Sequence, residues 1–536
     1  MNPLAYKTKS LDHLGLVAAL CQELGVAKFI DEQIPNQSEM RHISYGQLVV
    51  SMILNGLGFV SRTLHMFPDY FADKPIERLL GAGIKAAHIN DDALGRCLDK
   101  LYDLGVSGLY ESLAEKTVIH LGLPCNLLHL DSTSFHVDGE YASDIDAQSI
   151  RLTKGYSRDH RPDLNQVILN LITENQAGIP VYMQACSGNT NDSESFKKLV
   201  KSHIGSLKAA QRCRYFIGDS SLYVAETIQH LEQAKKHFIT RVPQKINEAK
   251  SVLKAAKTSG FSPLGNGYSA SWFDSDYGGV KQKWLLVKSE QAGKRENHTL
   301  TKTLLKTTEA SVKSFKKLCQ RSFSCEIDAK SALKKWEQEQ DYVQVSDGTV
   351  LSTTVHATRG RPKLDAQAKL SYQIRGYLNT CLARKEAAAN EKGFFILATN
   401  DCSENLSMES MLEYYKSQQN VERGFRFLKS PDFLVSSLFL KKPERIEALL
   451  MIMTCCLMIY AALEHLIRKQ LAEKNLFFPD MKKKPYQKPT ARWVFFCFQG
   501  IHELAIEDKT KIVVNITERQ KIILHCLGDP YREIYS

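Results

Sequence analysis

The chain has 536 residues, of which 43% are hydrophobic and 24% charged, so it is neither disordered nor collagen-like nor a polytopic membrane protein. That length suits about three domains. Lys and Arg total 70 against 59 acids, a formal charge of +11 that points to a polyanion partner, nucleic acid first, or simply to a basic soluble surface. The thirteen cysteines are scattered without a CxxC pair, which reads as reduced, cytosolic usage. The N-terminus reads as lacking a secretion signal, since Asp12 precedes a short apolar run, 14–20.

In chain order, residues 1–122 read as a helical domain. Segments 11–30, 45–57 and 91–113 carry apolar residues at helical spacing, and Asn90, Asp91 and Asp92 suit the cap of the third. The character changes at Pro124. Short apolar runs at 126–130, 166–172, 180–185, 214–218 and 237–242 predict five strands, with helices expected at 192–204 and 222–235. Three successive strands suggest an antiparallel meander, and the later alternation suggests parallel additions. From about 244 to 390 the pattern loosens. Strands are expected at 269–272 and 284–289, and a polar helical stretch at 294–340, where 11 Lys and Arg face 6 acids over 291–340. A strand at 393–399 precedes a helix at 409–429 and a strongly apolar helix at 443–470. The longest apolar stretch of that helix, 448–463 with Thr454 in it, is short of the about 20 residues a membrane span needs, so it reads as a buried core helix. Residues 478–489, with three prolines and Lys482-Lys483-Lys484, read as a basic linker. Helices are expected at 493–504 and 517–527, with a strand at 511–514.

Chemistry is suggested at three places. Asp131 interrupts the run Leu128-His129-Leu130, and Asp219 closes Tyr215-Phe216-Ile217-Gly218. A buried carboxylate costs several kcal/mol, roughly, unless paired or bound to metal. Each aspartate alone is compatible with a helix cap or a salt bridge; two at strand ends suggest a shared site. The third place is 414–429, YYKSQQNVERGFRFLK. Tyr415, Gln418, Glu422, Arg426 and Lys429 are spaced so that a helix turning about 100° per residue brings all five onto one narrow face. A single acid stands there among basic and amide groups.

These residues resemble the DDE transposases of bacterial insertion sequences, the superfamily marked by Y-(2)-R-(3)-E-(6)-K. Here the spacing is Tyr415-(2)-Gln418-(3)-Glu422-(6)-Lys429, with Gln418 where the family has Arg. The resemblance covers about 122–470. It implies a multidomain α/β protein with an RNase H-like mixed-sheet core, in which the first Asp lies on the first strand, the second just after the fourth, and the Glu on a later helix. Asp131, Asp219 and Glu422 match those places as catalytic residues and metal ligands. Tyr415, Gln418, Arg426 and Lys429 match DNA contacts. Asp219 and Glu422 lie 203 residues apart, a gap that a β-rich insertion fills in this superfamily. The expected organisation is a helical DNA-binding domain at 1–122, the core at 123–243 and 391–470, the insertion at 244–390, and a mainly helical C-terminal region at 471–536.

The resemblance further implies two Mg²⁺ ions, replaceable by Mn²⁺, as cofactor. It implies double-stranded DNA as partner, both the element's terminal inverted repeats and the target, and a homodimer in the synaptic complex. It implies no membrane partner and a place in the bacterial cytoplasm. A nuclease or resolvase without strand transfer, and a non-catalytic DNA-binding relative, are the alternatives. Three further features stay open. The basic turn 155–161 reads as a DNA contact or a solvated loop. Arg359-Gly360-Arg361-Pro362-Lys363 resembles an AT-hook core or is a plain basic loop. Trp284 reads as a stacking partner for a flipped base or as a core residue. No GxxxxGK[ST] or HExxH motif occurs, and Cys319 and Cys325 lack a histidine pair for zinc.

Overall fold

The structure, a computed structural model, describes residues 6–34, 42–59, 62–137, 149–156, 161–203, 205, 207–255, 260–356, 368–390, 392–430, 440–506 and 510–536. The AT-hook-like residues and part of the 155–161 turn lie outside them. The chain divides into two compact units. The first comprises Met1–Arg241, Ser275–Lys283 and Ala398–Ser536, the second Val242–Asp274 and Trp284–Leu397.

The first unit opens with helices whose ends follow from glycine. The helix expected at 11–30 is two, Leu14–Glu23 and Val26–Gln33, because Gly25 between them takes φ 65°. Likewise 91–113 divides into Asp91–Asp103 and Val106–Leu121 around Gly105, φ 82°. The Asn90 side chain caps the former, accepting from Ala93 N at 2.9 Å. Helix Tyr45–Leu57 starts at a capping box, Ser44 with Gln47. Through these helices runs Pro443–Glu473, 31 residues long. Its most apolar stretch would satisfy a membrane span by length and composition, yet 83% of that stretch is buried in this protein, against helices Tyr45–Leu57, Asp91–Asp103, Val106–Leu121 and others. It is a core helix.

Five strands of this unit form the mixed sheet: β1 (Leu127–Val137), β2 (Asn165–Glu174), β3 (Pro180–Ser187), β4 (Tyr215–Gly218) and β5 (His237–Arg241). Their order is β3-β2-β1-β4-β5. The meander β1-β2-β3 is antiparallel, whereas β4 pairs with β1 and β5 with β4 in parallel. The strands are almost wholly buried, as expected for a sheet covered on both faces. One expectation is corrected. Asp131 does not end a strand, for β1 continues six residues beyond it, paired with β2. What stops near Asp131 is the parallel ladder to β4, whose last pair is Leu130↔Gly218. The helix expected at 222–235 starts only at Ala225, because the Asp219 turn takes up the preceding residues: Ser221 N donates to Asp219 Oδ1 at 2.8 Å and Leu222 N to its carbonyl at 3.2 Å.

The chain ends are tied together. Tyr6–Ser10 pairs with His502–Ile506, and that strand with Thr510–Val514. The helix expected at 493–504 therefore stops at Cys497, with Gly500 at φ 86° turning the chain into a strand. Residues 478–489 are not a linker but a small hairpin, Phe478–Pro479 with Pro485–Tyr486.

In the second unit, β6 (Ser262–Gly265), β7 (Tyr268–Ser275), β8 (Gln282–Ser289) and β11 (Phe394–Thr399) lie in the order β11-β8-β7-β6. The polar stretch forms helices Glu290–Cys319 and Glu326–Gln338. They enclose a small core of Phe315, Leu318, Ala329, Trp336 and Ile374 with a long ribbon, β9 (Val343–His356) and β10 (Ala368–Thr380). Trp284 on β8 is fully buried, a core residue of this unit.

Candidate active site

The parallel ladders fix the levels of three residues. Leu130 on β1 is level with Gly218 on β4, and Gly218 with Thr240 on β5. One residue further stand Asp131 and Arg241, still within β1 and β5, and Asp219, just past the end of β4. Neighbouring strands lie about 4.8 Å apart, so two acids and a cation form one row across the sheet. A bond between a side chain and the backbone is formed at each aspartate. Ser132 N donates to Asp131 Oδ1 at 2.8 Å, and the Thr240 hydroxyl donates to the Asp219 carbonyl at 2.6 Å. Both aspartates are part-buried, and Arg241 is exposed. Arg241 is inconspicuous in the sequence. Its only local signal is a cation closing an apolar run, and the pairing register alone makes it meaningful.

The third acid arrives on a broken helix. The single helix expected at 409–429 is two, Met408–Lys416 and Gln419–Leu428, interrupted at Ser417 and Gln418. The former packs on β4 and β5 and the latter on β1. The break has a chemical cause. The Ser417 hydroxyl donates back to the Tyr414 carbonyl at 2.6 Å. Its oxygen also lies 3.1 Å from Nε2 of His129 on β1. The same Nε2 lies 3.1 Å from Asn175 Oδ1, an acceptor, so the ring is the Nε2–H tautomer and donates to both. Burial pushes the His129 pKa down to about 4 against the opposing Asn175 bond, so the ring is neutral. His129 thus ties the break to the strand that carries Asp131. It too went unnoticed in the sequence, where it reads as an ordinary strand residue.

Beyond the break, Glu422 lies in the first turn of its helix, where the helix dipole favours a carboxylate. Arg426 follows at i+4 and Lys429 at i+7, on the same face. Glu422 and Arg426 are exposed, whereas Tyr415, Gln418 and Lys429 are part-buried. The Lys429 ammonium lies 5.9 Å from the centre of the Phe135 ring on β1. Tyr415 reports what surrounds it. Burial raises its phenol pKa; Arg241 opposes the rise, and the charges of Asp219, Glu422 and Asp131 add to it. All three acids and Arg241 therefore lie within electrostatic reach of one hydroxyl.

The donor set suits a hard divalent ion: three carboxylates, with no thiol among them. Among the described residues, however, no three His, Cys, Asp or Glu side chains stand close enough together to hold an ion as they lie. The charges of the three acids are felt at Tyr415 without their side chains closing into such a group.

Residues 130–459 match the family model described as "Transposase DDE domain". The chain belongs to the DDE transposase family. Residues 6–115 of the transposase match a second family model, described as a domain of unknown function (DUF4277). No curated protein matches the chain. Among solved structures it is similar to a piggyBac transposase in a synaptic complex with hairpin DNA, at 12% identity and a TM-score of 0.36, over 92% of this chain and 82% of that one.

Proposed function

We propose that this transposase cuts DNA at the ends of its own element and joins the freed 3′-hydroxyl to target DNA, using Asp131, Asp219 and Glu422. The observation that supports the reading is the strand register that brings Asp131, Asp219 and Arg241 level at one end of the parallel strands, with the charge of Glu422 also felt at Tyr415. A divalent metal, Mg²⁺ or Mn²⁺, held by the three carboxylates would supply the nucleophile activation and leaving-oxygen stabilisation that in-line phosphoryl displacement needs. The chain's own residues do the rest. Tyr415 stays a protonated donor for a phosphate oxygen. Arg241, at the strand ends, offsets carboxylate and phosphate charge. Arg426 and Lys429 extend the contact along the DNA backbone, as cations suit that role. Gln418, lacking the charge of the family's Arg, positions rather than neutralises. Two element ends must be held at once, so the active form is a homodimer on DNA, in the bacterial cytoplasm.

The test is cleavage of a duplex carrying the element's ends, with Mg²⁺, by wild type and Glu422→Ala. Cutting that exposes a 3′-hydroxyl, is followed by joined products and vanishes in the variant supports the reading. Cutting without joining leaves a nuclease. Equal activity in both proteins removes Glu422 from the site.

A further inference from the structure

A basic feature outside the carboxylate site lies in the C-terminal part of the first unit, in the turn of the small hairpin. Lys482, Lys483 and Lys484 are consecutive and all exposed. Three adjacent cations repel one another, and a flexible loop would let them spread. This loop is fixed. Asp480 Oδ1 accepts from Lys482 N and from Lys484 N, both at 2.8 Å. Asp480 N donates to the Lys484 carbonyl at 2.9 Å, and Lys483 N to the Asp480 carbonyl at 3.0 Å. Lys483 is held at φ 62°, a left-handed conformation that a non-glycine residue keeps only when its surroundings impose it. The hairpin is anchored in turn, since Trp493 Nε1 donates to the Pro479 carbonyl at 2.9 Å.

The local charge is one-sided. Residues 474–493 hold six Lys and Arg and a single acid, Asp480. One oxygen of that carboxylate is bonded to two backbone N–H groups inside the turn. Among the described residues none of the three lysines forms an ion pair. The three exposed lysines thus stand on a hydrogen-bonded turn, and the backbone part of the ordering entropy that a flexible basic loop would lose on binding is already lost in folding.

We propose that the Lys482–Lys484 turn is a preformed clamp for the phosphate backbone of duplex DNA. It rests on the reading of the chain as a protein that acts on DNA, and it adds a contact surface distinct from the carboxylate site. Phosphate contacts of this kind position a protein without reading sequence.

The experiment is equilibrium binding of full-length protein to a random-sequence duplex without metal, between about 50 and 200 mM salt, the range over which counterion release is read. Each phosphate contact contributes about −0.9 to the slope of log K against log salt, so losing three flattens it by about 2.7. Over a fourfold rise in salt the wild type should therefore lose about 40-fold more affinity than K482Q/K483Q/K484Q. The glutamines leave the Asp480 bonds intact, because those use backbone N–H groups, and an unchanged thermal melt checks the fold. Asp480→Ala keeps the lysines and frees the turn; it should weaken binding several-fold while keeping the wild-type slope. Parallel salt lines for wild type and the triple variant overturn the clamp. Wild-type affinity in Asp480→Ala overturns its preformed character. Because no cleavage is measured, failure of the active-site reading would show only in the Glu422→Ala assay, and failure of the clamp only here.

Discussion

Glu447 gives the sharpest test of the packing around the core helix. It lies in the second turn of Pro443–Glu473, part-buried, three residues after Glu444, whose carboxylate accepts from the Ser149 hydroxyl at 2.8 Å. Burial first, and the Glu444 charge second, push its pKa from the ordinary 4.5 up to about 7. The folded value stands above the unfolded one, so the proton favours the fold. Below about pH 4.5 both states are protonated and nothing is lost. Between 4.5 and 7 the unfolded chain releases its proton while the folded chain keeps it, and stability falls as pH rises. Above pH 7 the loss levels off. At about 1.4 kcal/mol per pH unit, the gap between the two values is worth about 3 kcal/mol. Glu447→Gln removes the ionisation and keeps the shape. The variant should match wild type at pH 4.5 and exceed it by about 2–3 kcal/mol at pH 8. Urea unfolding followed by circular dichroism at pH 4.5, 6 and 8 measures this. A difference between the two proteins that stays flat across those three pH values would refute the reasoning.

Three further outcomes follow from contacts elsewhere. Trp284→Ala empties a fully buried site in the second unit and should cost about 3–5 kcal/mol, read as an earlier unfolding transition; a change below about 1 kcal/mol would show that the site repacks. Gly46→Ala would bring a methyl to 2.0 Å from the Ala27 carbonyl oxygen where two N-terminal helices cross, so the variant should unfold at least 1–3 kcal/mol, roughly, below wild type, or fail to accumulate. Ser417→Ala removes the hydroxyl that accepts from His129 and should cost about 1 kcal/mol. If His129 places Glu422 through that bond, the cleavage rate should fall about fivefold with DNA affinity unchanged; a fall in affinity with no change in rate would deny the positioning role.

The fold was legible wherever periodicity is local. The helices at 45–57 and 443–470 and all five strands of the mixed sheet are visible as apolar spacing, because each buries a face whose pattern the sequence carries. What stayed hidden depends on one residue or on distant pairing. Gly25 and Gly105 look like ordinary glycines until their positive φ breaks the helices. The strand at 502–506 reads as helix because its partner, Tyr6–Ser10, lies at the other end of the chain. The triple-lysine segment reads as a linker because its prolines signal a break, while the bonds that order it come from Asp480 and Trp493.

The same division runs through the candidate site. Asp131 and Asp219 stand out in the sequence because an acid beside an apolar run is costly and therefore conspicuous, and Glu422 because it is a single acid on a helix face of basic and amide groups. Arg241 does not stand out, since a cation at the end of a strand costs nothing. Its position follows from two successive registers, β1 on β4 and β4 on β5, that no single segment encodes. His129 is hidden for the opposite reason. It sits inside an apolar run as a small aromatic would, and its use appears only when Ser417, almost three hundred residues later, meets its ring. The helix that carries Glu422 breaks at that serine, so the acid's place is set by a strand residue two positions from Asp131 as well as by its own helix. A substitution at His129 therefore perturbs the strand of the first acid and the helix break before the third together, whereas one at Arg241 changes the charge that reaches Tyr415 beside them.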